Sequence, residues 1–305
     1  MSGFRILTVL QNMRNVQRLR VILLVAAVVI VCLFVALAVF SKSRTFVIEA
    51  ETTAAGFTFQ GESNDWYLAG ATICRLRDQP DFTRVADTSV CDPRFYEITD
   101  QRDLTLQWPN GAKVDVALTN QGDLRLSLQS AGPDNLAEGT ILIVTEADWR
   151  DTGALTFSAH TTVGRPISAG EQFYLTRGNW EARESGLITS FLRANVTEVI
   201  KTGELMRGAT ASVRSANQPV RMNGHVTPKD FSDTPSLEIF ALSQPGDVEL
   251  HVGYSGTDIP TIIRPDLVDV ALSSPLLLAI AIILSMLASL SQVFADFNNR
   301  RKQDE

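Results

Sequence analysis

Leu104-Thr105-Leu106-Gln107-Trp108-Pro109-Asn110-Gly111-Ala112-Lys113-Val114-Asp115-Val116-Ala117-Leu118 is the stretch that decides the fold class. Leu104, Leu106 and Trp108 alternate with polar residues, and Val114, Val116 and Leu118 resume the alternation after the turn. A period of two lines one face of a pleated strand with apolar side chains, so both runs read as half-buried strands. Asn110 and Gly111 tolerate the positive φ of a tight turn, and the sequence therefore predicts a β-hairpin closed by Pro109-Asn110-Gly111. A second turn at Asn120 to Asp123 leads into Leu124, Leu126 and Leu128, extending the hairpin to a three-stranded antiparallel meander with one buried face.

Working outward, strands rich in β-branched and aromatic residues are expected at Thr45–Glu51, Gly56–Phe59, Trp66–Cys74, Ile141–Val144, Leu155–Ala159 and Gln172–Thr176. Later ones follow at Ala209–Arg214, Arg221–Val226, Leu237–Leu242 and Val248–Tyr254, the last two joined by a turn at Ser243–Asp247. Short strands with regular turn signals indicate a mainly β, antiparallel, sandwich-like domain, of one or two subdomains, rather than βαβ units. Arg75 to Asp103 is charged with few apolar repeats and reads as a long loop. Between Arg183 and Asn195, Leu187, Ile188, Phe191 and Leu192 fall on one side of a helix, and one short helix is expected there. The acidic stretches Asp148–Asp151 and Glu181–Glu184 read as solvated loop tips. The Pro-containing segment Ile259–Pro265 reads as a stiff connector.

Two uncharged apolar runs bracket this region, Val21–Phe40 and Pro275–Phe294. About twenty helical residues rising 1.5 Å apiece cover roughly 30 Å, the thickness of a hydrocarbon core, so both are expected to span a membrane. Arg5, Arg14, Arg18 and Arg20 precede the first run, and Arg300, Arg301 and Lys302 follow the second. Basic flanks stay on the cytoplasmic side, which puts both termini inside. The expected organisation is a basic cytoplasmic segment (1–20), a first transmembrane helix (21–40), an extracytoplasmic β-rich domain (41–270), a second transmembrane helix (275–294) and a cytoplasmic tail (295–305). A cleavable signal peptide is the alternative for the first run, because Ala36-Leu37-Ala38 fits a small-residue cleavage site. The run continues through Val39 and Phe40 past that site, which favours an anchor. Ala281, Ser285 and Ser289 fall on one helix face and would let another helix approach closely, although Ala and Ser are also common in membrane helices. Neither run contains an ionisable residue, which argues against transport by this chain alone.

Residues 41–270 hold 20 basic and 31 acidic side chains, a formal charge of −11. Such a surface repels nucleic acid, so nucleic-acid binding is excluded as a function class. The preference for Arg over Lys, 22 against 5, points to a GC-rich bacterial genome. Cys74 and Cys91 lie in the outer region, where an oxidising compartment permits a disulfide; two buried thiols or a redox pair are the alternatives. Their spacing is too wide for a Cys-x-x-Cys redox site. His160, His225 and His251 are scattered and form no zinc-ligand spacing with two cysteines, so no metal and no cofactor is expected. No nucleophile elbow, phosphate-binding loop, His-Glu-x-x-His motif or EF-hand loop occurs, and no catalytic residue is assigned.

Trp66, Trp149 and Trp180 sit beside turns, where an exposed indole could stack on a sugar ring or anchor an interface; packing in the core is the alternative for each. Trp108 alternates in phase with Leu104 and Leu106 and is expected in the core. These features lead to one functional expectation. The chain reads as a bacterial inner-membrane protein presenting a periplasmic β-rich domain for protein binding, a scaffold or accessory subunit of an envelope complex. Its expected partners are membrane lipid and an envelope protein, or a second copy through the transmembrane helices. A membrane-tethered glycan-binding or glycan-processing protein is the alternative.

Overall fold

The computed structural model describes residues 43–61, 64–87, 91–119, 121–130, 132–133, 136–165, 174–185, 197–229, 235–255, 257 and 259–266, with the single positions 29, 269, 282, 285, 286 and 289. The chain divides into two compact units, 1–43 with 185–197 and 44–184 with 198–305, and the β structure belongs to the second. Its first strands are β1 (Ser43–Thr52), β2 (Ala54–Phe59), β3 (Asp65–Leu76), β4 (Tyr96–Gln107), β5 (Lys113–Leu118), β6 (Leu124–Leu128) and β7 (Ile141–Val144). A short helix, α1 (Glu146–Thr152), precedes β8 (Leu155–Val163), β9 (Leu175–Ser185) and β10 (Glu198–Leu205). The chain continues through β11 (Ala209–Ser215), β12 (Gln218–Pro219), β13 (Arg221–Pro228), β14 (Leu237–Ser243), β15 (Glu249–Tyr254) and β16 (Thr261–Ile263). The fold is thus mainly β and antiparallel.

Hydrogen bonding joins the strands in the order β10-β9-β1-β14-β13-β8-β2-β5-β6-β7-β3-β4, with β11, β12, β15 and β16 branching off at β8. Strand β8 is the branch point because one of its edges serves two partners in succession. One edge pairs with β2, from Phe59 opposite Ala159 to Ala55 opposite Val163. The other pairs with β13 along Leu155–His160 and then with β11 at Thr162 and Val163. Alternation along β8 sends Leu155, Phe157, Ala159 and Val163 inward, and all four are buried. At Thr53 the chain leaves one neighbourhood for another: β1 pairs with β14, and β2 pairs with β5 and β8. The Thr52 side chain bridges this corner, its hydroxyl donating to Ala54 O at 2.8 Å.

The inward faces enclose one continuous apolar core. Near β8 it is aromatic: Phe59 stacks on Trp108 at 5.1 Å between centroids, Trp66 meets Phe59 and Trp108 edge-on, and Phe57 packs on Phe157 at 4.8 Å. Buried polar groups are bonded across the same region. Trp66 Nε1 donates to Thr156 O at 2.6 Å, and Asn64 Oδ1 accepts from Ser158 N at 2.7 Å.

The predicted hairpin does not form. Strand β4 pairs with β3, Leu104 opposite Leu68, whereas β5 pairs with β2 and β6. The turn is present, with Gly111 at φ 86°. Its backbone bonds go to β2: Gly111 N donates to Phe59 O at 2.8 Å, and Phe59 N to Ala112 O at 2.9 Å. Trp108 and Ala112 are both buried, so the turn carries the chain over the end of β2 from one part of the core to another. Alternation specifies which face is covered; it does not specify which strand lies alongside. The second half of the meander forms as expected, with Val114 opposite Leu128 and Leu118 opposite Leu124.

Other departures have local causes. The region 75–103 is not simply a loop, because β4 begins at Tyr96; residues 97–103 are exposed, so no apolar alternation marks them. Residues 148–151 are not a loop tip but part of α1, whose N-cap Thr145 accepts from Asp148 N while Trp149 is buried. The connector after Ile259 contains β16, an edge strand on β15. The helix predicted over 183–195 lies outside the described residues beyond Ser185, and Arg183 and Glu184 are in β9. Among the described residues no helix is long and apolar enough to cross a membrane. The runs 21–40 and 275–294 lie outside the described residues except Val29, Ile282, Ser285, Met286 and Ser289, which are helical and exposed.

Gly224 on β13 has no room for a side chain, since a Cβ there would meet Phe240 O and, at 2.7 Å, the Phe157 ring. Gly224→Ala is expected to lower stability by about 1–3 kcal/mol through overpacking, read as a reduced thermal midpoint.

Candidate functional site

Cys74 and Cys91 are joined in a disulfide with Cα atoms 6.0 Å apart. The bridge forms a small second core with Ile141, packed by Tyr96 and Ile143. It braces the connection between β3 and β4, which is further ordered by backbone bonds from Arg77 N to Phe95 O and from Asp81 N to Arg94 O, both 2.8 Å. Asp81 accepts from Thr83 and Arg84, and Asp92 from Arg94. On this braced connection Phe82 is 72% and Val85 85% exposed. Phe82 meets Phe95 edge-on at 6.2 Å, and Leu76 and Ile98 are exposed nearby in sequence.

The tryptophans named from sequence are elsewhere. Trp66, Trp149 and Trp180 are buried, at 1%, 1% and 6% exposure, so none offers a face to a ligand. Trp66 belongs to the aromatic core, Trp149 is the buried residue of α1, and Trp180 packs against Phe46 and Gly203. Turn-adjacent position in sequence does not reveal which way a strand or helix turns its indole. Phe82 and Phe95 were missed; the available signal was an aromatic residue on either side of Cys91 in an otherwise charged stretch. Of the small residues on the second apolar run, Ser289 Oγ donates to Ser285 O at 2.9 Å, and Ala281 lies outside the described residues. Among the described residues no group of His, Cys, Asp and Glu is arranged to hold a metal ion.

The segments that lead to the two apolar runs meet at one turn. Arg44, at the start of β1, exchanges backbone hydrogen bonds with Gly246 at 2.9 and 3.0 Å. Arg264, just after β16, donates through Nη2 to both carboxylate oxygens of the neighbouring Asp247, at 2.8 and 3.0 Å. The Arg44 side chain is buried beside Glu184 at 3.7 Å. Lys201 on β10 pairs with Asp269 at 2.9 Å.

Two grooves of opposite charge lie on the outer faces of the strands. One, about 480 Å³, runs over β1, β9 and β14 and is lined by Glu49, Glu51, Glu204 and Glu238 with Arg177. Glu51 accepts from Arg177 Nε at 2.7 Å and also pairs with Lys229. The Arg177 hydrogen bond, helped by Lys229 and opposed by burial, holds its carboxyl below the usual range. The second groove, about 380 Å³, runs over β5, β2, β8 and β11. Its cations are Lys113, Arg165 and Arg214, against the single carboxylate of Asp115. His160 also lines it; burial, with Arg221 nearby, pushes the imidazole below the usual histidine range and keeps it neutral at neutral pH.

Closing a loop of this length stabilises a fold by about 3 kcal/mol through loss of unfolded-chain entropy, so reductant or Cys74→Ala should lower stability by about that amount, read as a reduced thermal midpoint, and open the 77–92 segment to protease. Because the Glu51 pKa is depressed on folding, its contribution is complete above the ordinary value of 4.5 and disappears as pH falls through the lowered value. Arg177→Gln should therefore flatten the acid limb of a stability profile taken between about pH 6 and about pH 3.

No family model matches this chain, and neither a curated protein nor a solved structure matches it.

Proposed function

We propose that this chain is a two-span protein of a bacterial inner membrane, with both termini in the cytoplasm and residues 41–270 forming a sandwich-like extracytoplasmic domain. That domain binds another envelope protein and serves as a scaffold or accessory subunit. The carrying observation is the braced β3–β4 connection. Its disulfide and internal hydrogen bonds order the backbone beside the exposed Phe82 and Phe95, with Val85 exposed next to them, and an ordered apolar surface binds with less loss of loop entropy. A disulfide also suits an oxidising compartment.

Tethering is supported by the meeting of Arg44 and Arg264 at the Gly246–Asp247 turn. A domain held by two helices in one bilayer needs its two connections on the same side, and Arg44 and Arg264 lie on the segments that lead to the two apolar runs. The glycan alternative loses its tryptophans to the core.

Two measurements test this reading. A photocrosslinking residue at position 82 or 85 of the full-length protein in cells should give a discrete adduct, absent when the residue is placed at Gln218, and Val85→Ser should weaken the adduct formed from position 82. Only uncrosslinked monomer would defeat the interaction role. Protease added to spheroplasts should degrade the 41–270 region without lysis; protection until lysis would defeat the topology.

A further inference from the structure

The groove over β5, β2, β8 and β11 is lined by charged and hydroxyl side chains. Register defines its floor. One row of outward residues crosses the strands as Asp115, Gly56, Thr162 and Ser212, and the next as Lys113, Thr58, His160 and Arg221. Adjacent strands lie about 4.8 Å apart, so each row spans about 14 Å. The first row is low across Gly56, Thr162 and Ser212, and the second is low at Thr58, with the His160 ring beside it. Long side chains stand at the edges, Lys113 and Arg165 on one side and Arg214 on the other, which is what makes an otherwise flat sheet concave.

The charges are unevenly compensated. Asp115 is occupied by Arg165 and by Gln129 Nε2 at 3.0 Å. Glu249, opposite Arg214 in the β11–β15 ladder, is engaged by His251 Nε2 at 2.9 Å. Among the described residues neither Lys113 nor Arg214 has an ion-pair partner. Arg221, beyond His160, faces the Gln244 amide and the Gly61 backbone rather than a carboxylate. In a region of net charge −11, this is a concentration of positive charge around a floor of hydroxyls.

We propose that this groove binds a small hydroxyl-bearing organic anion, a sugar acid or sugar phosphate, with its acid group at the Arg214 wall and its hydroxyls on Thr58, Thr162 and Ser212. Guanidinium groups form short, charge-assisted bonds to carboxylate or phosphate, and threonine and serine hydroxyls both donate and accept toward sugar hydroxyls. The neutral imidazole of His160 adds a further donor or acceptor without repelling the sugar. A volume of about 380 Å³ falls within the usual span for small-molecule sites. No tryptophan is exposed on this floor, so selectivity rests on charge and hydrogen bonding rather than stacking.

Calorimetric titration of the full-length protein in mild detergent with glucuronate, glucose 6-phosphate, inorganic phosphate and glucose tests this. At least one of the two acidic sugars should bind about tenfold or more tightly than glucose and than inorganic phosphate, and which one responds identifies the acid. Arg214→Gln should weaken that binding about tenfold, and Thr162→Trp, which fills the floor from an exposed position, should abolish it with the thermal midpoint unchanged. Three results would overturn the assignment: no heat from either acidic sugar at millimolar concentration, equal binding of glucose or phosphate, or wild-type binding by the folded Thr162→Trp variant.

Discussion

Burial of the Trp66–Trp108–Phe59 cluster against β8, with every polar group at that junction answered except Trp108 Nε1, is the constraint on which the rest of the fold depends. Strand β8 is paired along both edges, and contacts beyond the ladders help fix its register. Asn64 does so by accepting Ser158 N on its side chain and Trp108 N on its backbone carbonyl, while Trp66 Nε1 caps Thr156 O. These bonds tie the start of β3 and the end of β4 to β8, and the stacked rings fill the space between. An unanswered buried donor costs about 1–3 kcal/mol, so polar matching here selects one arrangement out of many that would bury the same rings.

The buried Arg44–Glu184 pair has the opposite character. At 3.7 Å, with Arg44 Nε and Glu184 Oε2 lacking hydrogen-bond partners, it is poorly placed to recover the cost of removing two charges from water. Arg44 lies four residues after Phe40, and its contact with Glu184 links the start of β1 to the end of β9. The Arg264–Asp247 contact, exposed and made by one guanidinium nitrogen to both carboxylate oxygens, makes a looser version of the same link at the other end of the domain sequence.

Surface chemistry is segregated around this frame. Acidic side chains collect over β1, β9 and β14, cations over β5, β2, β8 and β11, and exposed aromatics on the disulfide-braced connection after β3. Sheet outer faces supply rigid rows of side chains at fixed spacing, so recognition features placed there need little ordering on binding. The apolar feature instead sits on a connection and depends on a covalent bond and a small satellite core for its rigidity.

The strand character of this chain was legible in its alternating residues: the runs around Leu104–Trp108, Val114–Leu118, Leu124–Leu128 and Leu237–Leu242 all lie in strands or at their ends, with the expected side chains inward. Strands lacking alternation, such as the exposed part of β4, left no such trace, and α1 was hidden because seven residues carry too little periodicity to see. Pairing was not legible at all. The turn at Pro109–Ala112 has every local mark of a hairpin yet joins strands that are not neighbours, because Phe59 offers its backbone groups to the turn from fifty residues away. Likewise the directions of Trp66, Trp149 and Trp180, and the meeting of Lys113, Thr162 and Arg214 over one floor, follow from register between distant strands. Period-two patterning is a property of each segment alone, whereas partner choice depends on which long-range closures bury the rings while leaving few buried donors unmatched, and only the folded chain as a whole decides that.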